Sequence, residues 1–273
     1  AITSLIPSNS VIPIMDNAVL SASNSIKGGS LEHSVIFHEV FFEIGGADIC
    51  VNAKQLRDFC NVNAGEVVSI HNGEISDGKS TFIIPFSDAD QYPDFNKSED
   101  TRSISYTELK KITEKCTPHC ARANDVRAPL TGVLFKDSFA VGTGGLSLVE
   151  YQHDSDFQKS VLINPTVLKI ATQYCDSESL EIGSNVIEGN SFEVYFQSIA
   201  GIYPDWKKVI PQNQPHKCTV DKNELIDAIK IARIGSDITT HGVGLHFELE
   251  KMTVSGEDNL QQKKSFTSIP AEC

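Results

Sequence analysis

No stretch of the 273-residue chain approaches the run of about 18 apolar residues that a membrane-spanning helix needs. Its opening, AITSLIPSNSVIPIM, has no basic segment ahead of a continuous apolar run, so a cytoplasmic protein is expected. Positive charge is scarce: 23 Lys and Arg against 36 Asp and Glu leave a net charge of −13. That balance argues against a protein that coats nucleic acid by its averaged field, yet it permits a local basic surface. A disulfide framework is missing too, since Cys50, Cys60, Cys116, Cys120, Cys175, Cys218 and Cys273 are odd in number and irregular in spacing. Reduced thiols are expected. Cys116-Thr-Pro-His119-Cys120 has metal-ligand residue types but no second pair at matching spacing, so a helix end with two half-buried thiols is expected, and no metal or cofactor.

Catalytic signatures are equally sparse. Gly142-Thr-Gly-Gly145 is glycine-rich but lacks the Gly-Lys-Ser/Thr ending of a phosphate loop and leads into strand-like sequence, so it reads as a hairpin turn. No Gly-x-Ser-x-Gly, His-Glu-x-x-His or paired-carboxylate arrangement stands out, and a non-catalytic protein is expected.

What the chain does contain is a repeat. Val51-NAKQ-Leu56-RD-Phe59, Ile104-SYTE-Leu109-KK-Ile112, Ile163-NPTV-Leu168-KI-Ala171 and Val220-DKNE-Leu225-ID-Ala228 share one spacing, with successive copies 53, 59 and 57 residues apart. Each predicts a strand ending at the first apolar residue. A polar residue, Asn52, Ser105, Asn164 or Asp221, then starts a helix whose i, i+3 apolar pair faces a core. Strands are expected around each helix, at residues 11–22, 34–44, 66–70, 79–85, 132–135, 139–141, 180–187, 191–198, 242–249 and 251–255. The unit is one helix plus about four strands, which gives an α+β chain of repeated modules with a helix layer on a sheet layer. No helix pattern precedes Val51, and the last unit closes at residues 269–273, so the chain is expected to be incomplete at both ends.

Residues 201–211, GIYPDWKKVIP, hold the only tryptophan between two prolines. Pro204 and Pro211 fix φ and remove backbone donors, so the segment is expected to run extended as a connector. Tyr203, Trp206, Val209 and Ile210 are each expected to be buried, at a gain of about 1.5–3 kcal/mol per large apolar side chain.

This connector resembles the Gly-x-Phe/Tyr-Pro-Asp-aromatic-basic-basic-Val-x-Pro segment between the second and third domains of the bacterial sliding clamp, the β subunit of DNA polymerase III. Leu130-Thr-Gly-Val-Leu-Phe135 resembles that family's Leu-x-Gly-x-x-Phe strand, and Gly242-Val-Gly-Leu245 resembles the start of its third domain. Weaker matches are Ile12-Pro-Ile14, Leu31-Glu32 and Tyr92-Pro93. One segment departs: where the family runs Ala-Thr-Asp-Gly-His-Arg-Leu, this chain has Gly142-Thr-Gly-Gly-Leu-Ser-Leu148, without the Asp, His and Arg. Thr240 stands where the family often has an aromatic residue.

The resemblance implies the DNA-clamp fold with two modules per domain, divided as 1–100 (lacking its N-terminal part), 101–203 and 204–273 (first half only). It implies a homodimeric ring, helices inward, that encircles double-stranded DNA without reading sequence. The exposed helix faces would then offer Lys54, Arg57, Lys110, Lys111, Lys115, Lys169, Lys222, Lys230 and Arg233 to phosphates, with Arg122 and Arg127 beside the second helix. It also implies that linear peptides of the polymerase catalytic subunit and the clamp loader dock in a pocket built from Leu130, Thr143, Gly145, Leu146, Ser147, Leu148, Pro204, Lys208, Val209 and Thr240. The acidic balance and the altered turn leave an alternative open: a clamp-derived interaction scaffold that no longer encircles DNA.

Overall fold

Four helices start where the repeat puts them. The structure, a computed structural model, describes residues 5–7, 10–38, 40, 47–62, 69–71 and 73–272. Its helices are α1 (Ala53–Val62), α2 (Tyr106–Cys116), α3 (Pro165–Tyr174) and α4 (Lys222–Gly235). Each begins one residue after a polar cap whose side-chain oxygen accepts a backbone N–H of the first turn. Asn52 Oδ1 takes Gln55 N at 3.0 Å, Ser105 Oγ takes Glu108 N at 3.2 Å, Asn164 Oδ1 takes Thr166 N at 2.8 Å, and Asp221 Oδ1 takes Asn223 N at 2.8 Å. A cap of this kind satisfies a donor that the helix itself leaves open, worth about 1 kcal/mol. Pro165 occupies the first helical position, where its missing N–H costs nothing.

The Leu that recurs five positions into each copy points inward. Leu56, Leu109 and Leu168 are buried, and Leu225 packs half-buried on the core of its unit. Ile112, Ala171 and Ala228 at the next matching position are buried as well.

By contacts the chain divides into two compact units, Ala1–Tyr203 and Pro204–Cys273. In the first unit the strands are β1 (Asn17–Ser21), β2 (Ser25–Gly29), β3 (His33–Phe37), β4 (Ile49–Asn52), β5 (Ser69–His71), β6 (Glu74–Ser76), β7 (Thr81–Ile83), β8 (Ser87–Asp88) and β9 (Arg102–Ser105). They continue with β10 (Val133–Thr143), β11 (Leu148–Ile163), β12 (Ser179–Ile182), β13 (Val186–Glu188) and β14 (Phe192–Phe196). A nine-stranded sheet runs in the order β8-β4-β1-β2-β3-β14-β13-β12-β9, so the strands that flank α1 share one surface with β9 and with the strands that follow α3, through the β3–β14 pairing. Helices α2 and α3 lie against each other, and their apolar faces join β10, β11 and the β12–β14 strands in one core that includes Leu109, Ile112, Phe135, Leu168 and Phe192. In the second unit, α4 covers a three-stranded antiparallel sheet of β15 (Gly244–Phe247), β16 (Lys251–Asp258) and β17 (Lys263–Pro270). There Ala228 and Ala232 pack on Met252, Val254 and Ile269.

Several expectations needed correction. The strand at 11–22 shortens to β1 because Pro13 opens a 3-10 turn over Pro13–Asp16. The strand at 34–44 is described only as β3, since residues 39 and 41–44 lie outside the described residues, as do 66–68 of the strand expected at 66–70. The strand at 180–187 is two, because Gly183 N donates to Val186 O at 2.8 Å and turns the chain. The segments at 132–135 and 139–141 are one strand, β10, which pairs with the long β11. Cys116 is fully buried rather than half-buried. Cys218 is disulfide-bonded, against the expectation of seven reduced thiols. Beside it, Thr219 and Glu272 exchange both backbone hydrogen bonds, at 2.8 and 3.0 Å, which brings the far end of the unit next to Cys218.

Candidate functional site

Nine of the proposed basic residues sit on the four helices, turned from the core as the inward packing of the repeat leucines dictates, and Arg122 and Arg127 lie in the loop between α2 and β10. Lys54, Lys110, Lys111, Lys115, Arg122, Arg127, Lys169, Lys222, Lys230 and Arg233 are exposed, while Arg57 is half-buried with Nε 3.6 Å from Asp58. Because α2 and α3 are neighbours, they bring Lys110, Lys111, Lys115 and Lys169 to adjoining helices of the first unit. Aromatic rings hold two of these ammonium groups: Lys110 Nζ lies 5.9 Å from the Tyr106 ring centre and Lys115 Nζ 5.3 Å from that of Tyr151. In the second unit α4 carries Lys222, Lys230 and Arg233, with Lys230 Nζ 2.8 Å from Asp227.

Arg127 is placed differently. Its Nε and Nη2 donate to the two oxygens of Asp125 at 3.0 and 2.9 Å, and its backbone N donates to the same carboxylate at 2.8 Å. These bonds to Arg127 lower the Asp125 carboxyl to about 2. The guanidinium also reaches across the surface, where Nη2 donates to Gly144 O at 3.1 Å. It therefore braces the turn between β10 and β11, and Asp125 neutralises it there.

That turn carries Thr143, Gly145, Leu146, Ser147 and Leu148 of the expected peptide-binding set. Thr143 Oγ1 donates to Ser147 O at 2.7 Å and accepts Gly145 N at 3.1 Å, closing a tight loop. Gly145 has φ +94°, and a Cβ there would press on Arg127 Nη1, so glycine is required. Leu146 projects at the tip fully exposed, Leu148 is half-buried where β11 begins, and Leu130 is buried at the end of the loop that precedes β10. The same loop contributes His119, whose Nδ1 shares a 2.7 Å hydrogen bond with Ser147 Oγ. The connector begins beside β10: Tyr203 Oη donates to Val141 O at 3.3 Å, burial pushes its hydroxyl pKa up, and Gly201 at φ +123° sits against the Pro129 ring.

In the second unit, Pro204 and Lys208 are exposed, and Lys208 Nζ lies 3.2 Å from Asp205. Trp206 is buried in a 3-10 turn over Trp206–Lys208, but Val209 is 68% exposed, which corrects the expectation that every large apolar residue of the connector is buried. Thr240 is exposed at a turn organised by Asp237, which accepts Thr239 N and Thr240 N at 2.9 and 2.8 Å. These backbone bonds lower the Asp237 carboxyl below its usual range.

No family model matches the chain. The beta sliding clamp of Vibrio cholerae is 26% identical over 278 aligned residues, covering 92% of this chain and 75% of that protein. The beta sliding clamp of Buchnera aphidicola is 25% identical over 289, covering 96% and 78%. The crystal structure of the DNA polymerase III subunit beta from Pseudomonas aeruginosa superposes on 99% of this chain, and 81% of its own, with a TM-score of 0.85 at 19% identity. Over most of its length this chain is similar to bacterial beta sliding clamps, and it shares their fold.

Against the clamp family's turn, the missing His and Arg are notable for what stands nearby. His119 and Arg127 reach the same turn from the loop between α2 and β10. Sequence reasoning assigned Arg127 to DNA and passed over His119 and Asp125 at this turn. The available signal was Asp125-Val-Arg-Ala-Pro-Leu130, a charged pair immediately before a residue already placed in the pocket.

Proposed function

We propose that this chain is a DNA sliding clamp, a replication processivity factor that encircles duplex DNA and tethers a polymerase. The observation that carries the reading is the clamp fold along nearly the whole chain, with basic side chains exposed on the outer face of every repeat helix. A ring separates retention from affinity: topology holds the DNA, so each phosphate contact can stay weak and sequence-blind. Lys54, Lys110, Lys111, Lys115, Arg122, Lys169, Lys222 and Arg233 suit that task. Arg57, Arg127 and Lys230 also belong to the set, with their charge shared with Asp58, Asp125 and Asp227. The net charge of −13 is compatible with it, because a sliding contact must not bind tightly.

The finer organisation is proposed in the same terms. Three clamp domains, 1–100, 101–203 and 204–273, would form a homodimeric ring. Polymerase and clamp-loader peptides would use Leu130, Thr143, Gly145, Leu146, Ser147 and Leu148 from the first unit, with Pro204, Lys208, Val209 and Thr240 from the second. Exposed Leu146 and Val209 offer the apolar contact such peptides need.

Primer extension by the partner polymerase tests the function. With the clamp and its loader the products should lengthen at low enzyme concentration, and unchanged lengths would favour the scaffold alternative. For the pocket, Leu148→Asp or Val209→Asp should weaken a polymerase-tail peptide at least tenfold in calorimetry with the fold retained. Unchanged affinity in both variants would remove these residues from the site.

A further inference from the structure

The long β11 strand leaves regular pairing in one place. Phe139 of β10 faces Gln152 and Asp137 faces Phe157, so residues 153–156 bulge opposite Ser138. His153 lies in this bulge and is 3% exposed. Its ring centre is 6.1 Å from that of Phe135 and 5.5 Å from that of Phe157, which it meets edge-on at 86°. No hydrogen bond of good geometry reaches either ring nitrogen, although the backbone at Phe139 and Ser155 stands close enough to favour the protonated ring. A buried imidazole without a well-formed hydrogen bond at either nitrogen is a costly arrangement.

The rest of the bulge is tied to the start of α2. Asp154 N donates to Glu108 Oε1 at 3.3 Å, and Ser155 Oγ donates to Ser103 O of β9. Glu108 is also the reciprocal partner of the α2 cap: its N–H donates to Ser105 Oγ at 3.2 Å, and Ser105 Oγ donates to its Oε2 at 3.3 Å. The charged groups that face His153 are both carboxylates, Glu108 from α2 and Asp154 from β11 itself, while β10 presents the Phe135 ring.

We infer that His153 is a proton-operated latch on the start of α2. Neutral, the ring fills the aromatic niche and holds the bulge in the shape that hands Asp154 N to Glu108. Protonated, it becomes a buried cation that the backbone at Phe139 and Ser155 satisfies only poorly, with a carboxylate just outside the niche. The imidazolium swings toward Glu108, takes over its oxygen from Asp154 N, and loosens the capped first turn of α2, the helix that carries Lys110, Lys111 and Lys115. Burial holds the ring below the usual 6.5, outweighing the pull of Glu108, of the Phe139 and Ser155 backbone and of Asp154. The folded form therefore resists the proton: the latch is fully closed above about 6.5 and opens as pH falls below it. The inference rests on the geometry of the bulge and stands or falls independently of the clamp reading.

Histidine-resolved NMR and hydrogen exchange on the full chain between pH 7.5 and 5 test it. The His153 ring should stay neutral below pH 6.5. Over the same range, the opening equilibrium for residues 103–110 and 152–157, corrected for the intrinsic exchange rate, should rise about tenfold per pH unit until the folded form itself protonates. His153→Leu should abolish the pH-dependent opening. Glu108→Gln, which keeps the shape but removes the attraction for the imidazolium, should move it to lower pH. An ordinary titration near 6.5, or the same opening in His153→Leu, would overturn the latch. If His153→Leu does not fold, the Glu108→Gln shift decides, and an unshifted opening counts against it.

Discussion

Helices α2 and α4 are copies of one pattern, yet they end in different surroundings. Both run onto a strand glycine at the same point of the repeat: a Cβ on Gly142 would strike Cys116 O at the end of α2, and a Cβ on Gly256 would strike Ala232 O in α4. Cys116 and Ala232 each stand twelve positions after the first apolar residue of their copy, Ile104 and Val220. Around α2, however, α3 completes a large core, whereas α4 leaves Ile231 and Ile234 exposed among the described residues. The helix-on-strand contact is thus a property of one module, and the buried helix-on-helix contact is a property of a pair. A module makes its fold alone and completes its core only with a neighbour.

Seven substitutions break or sharpen that comparison. The largest effect is expected from Leu109→Ala, where a fully buried side chain is lost between α2 and its strands. A cost of about 2–5 kcal/mol in denaturant unfolding follows, and the matching Leu225→Ala in α4, at a half-buried position, should cost clearly less. Next come Gly142→Ala and Gly256→Ala, which force helix and strand apart and should each cost about 1–3 kcal/mol. Similar losses in both would tie the contact to the module, and a loss in only one would untie it. Removing the caps with Ser105→Ala and Asp221→Ala should cost about 1 kcal/mol each. Ile234→Asp should change unfolding of the isolated chain by less than about 0.5 kcal/mol, since the side chain is 76% exposed.

The turn that braces the proposed pocket has a pH range of its own. Asp125 is held at about 2, chiefly by its hydrogen bonds from Arg127, so the pair is intact at neutral pH. Its contribution is present above the ordinary carboxylate range near 4 and is lost as pH falls through about 2. A carboxyl-carbon titration of Asp125 with a midpoint near 4 would show that Arg127 does not hold the turn this way.

The helix starts were legible because a cap and an i, i+3 apolar pair are local features, and Asn52, Ser105, Asn164 and Asp221 needed no knowledge of the fold. The clamp architecture was legible through motifs such as GIYPDWKKVIP. The long β11 strand was not, because its bulge breaks the alternation and places polar His153 inward. Arg127 was read as a helix-side cation because its contact with Gly144 spans seventeen residues of sequence. Val209 was expected inside on hydrophobicity alone, and burial of Trp206 beside it did not extend to it.

The central claim is that the chain slides on DNA it encircles. Full-length protein loaded onto a nicked circular duplex and passed over a sizing column should stay with the circle, and should leave once a restriction enzyme linearises it. Retention after cutting, or failure to load at all, would contradict the account.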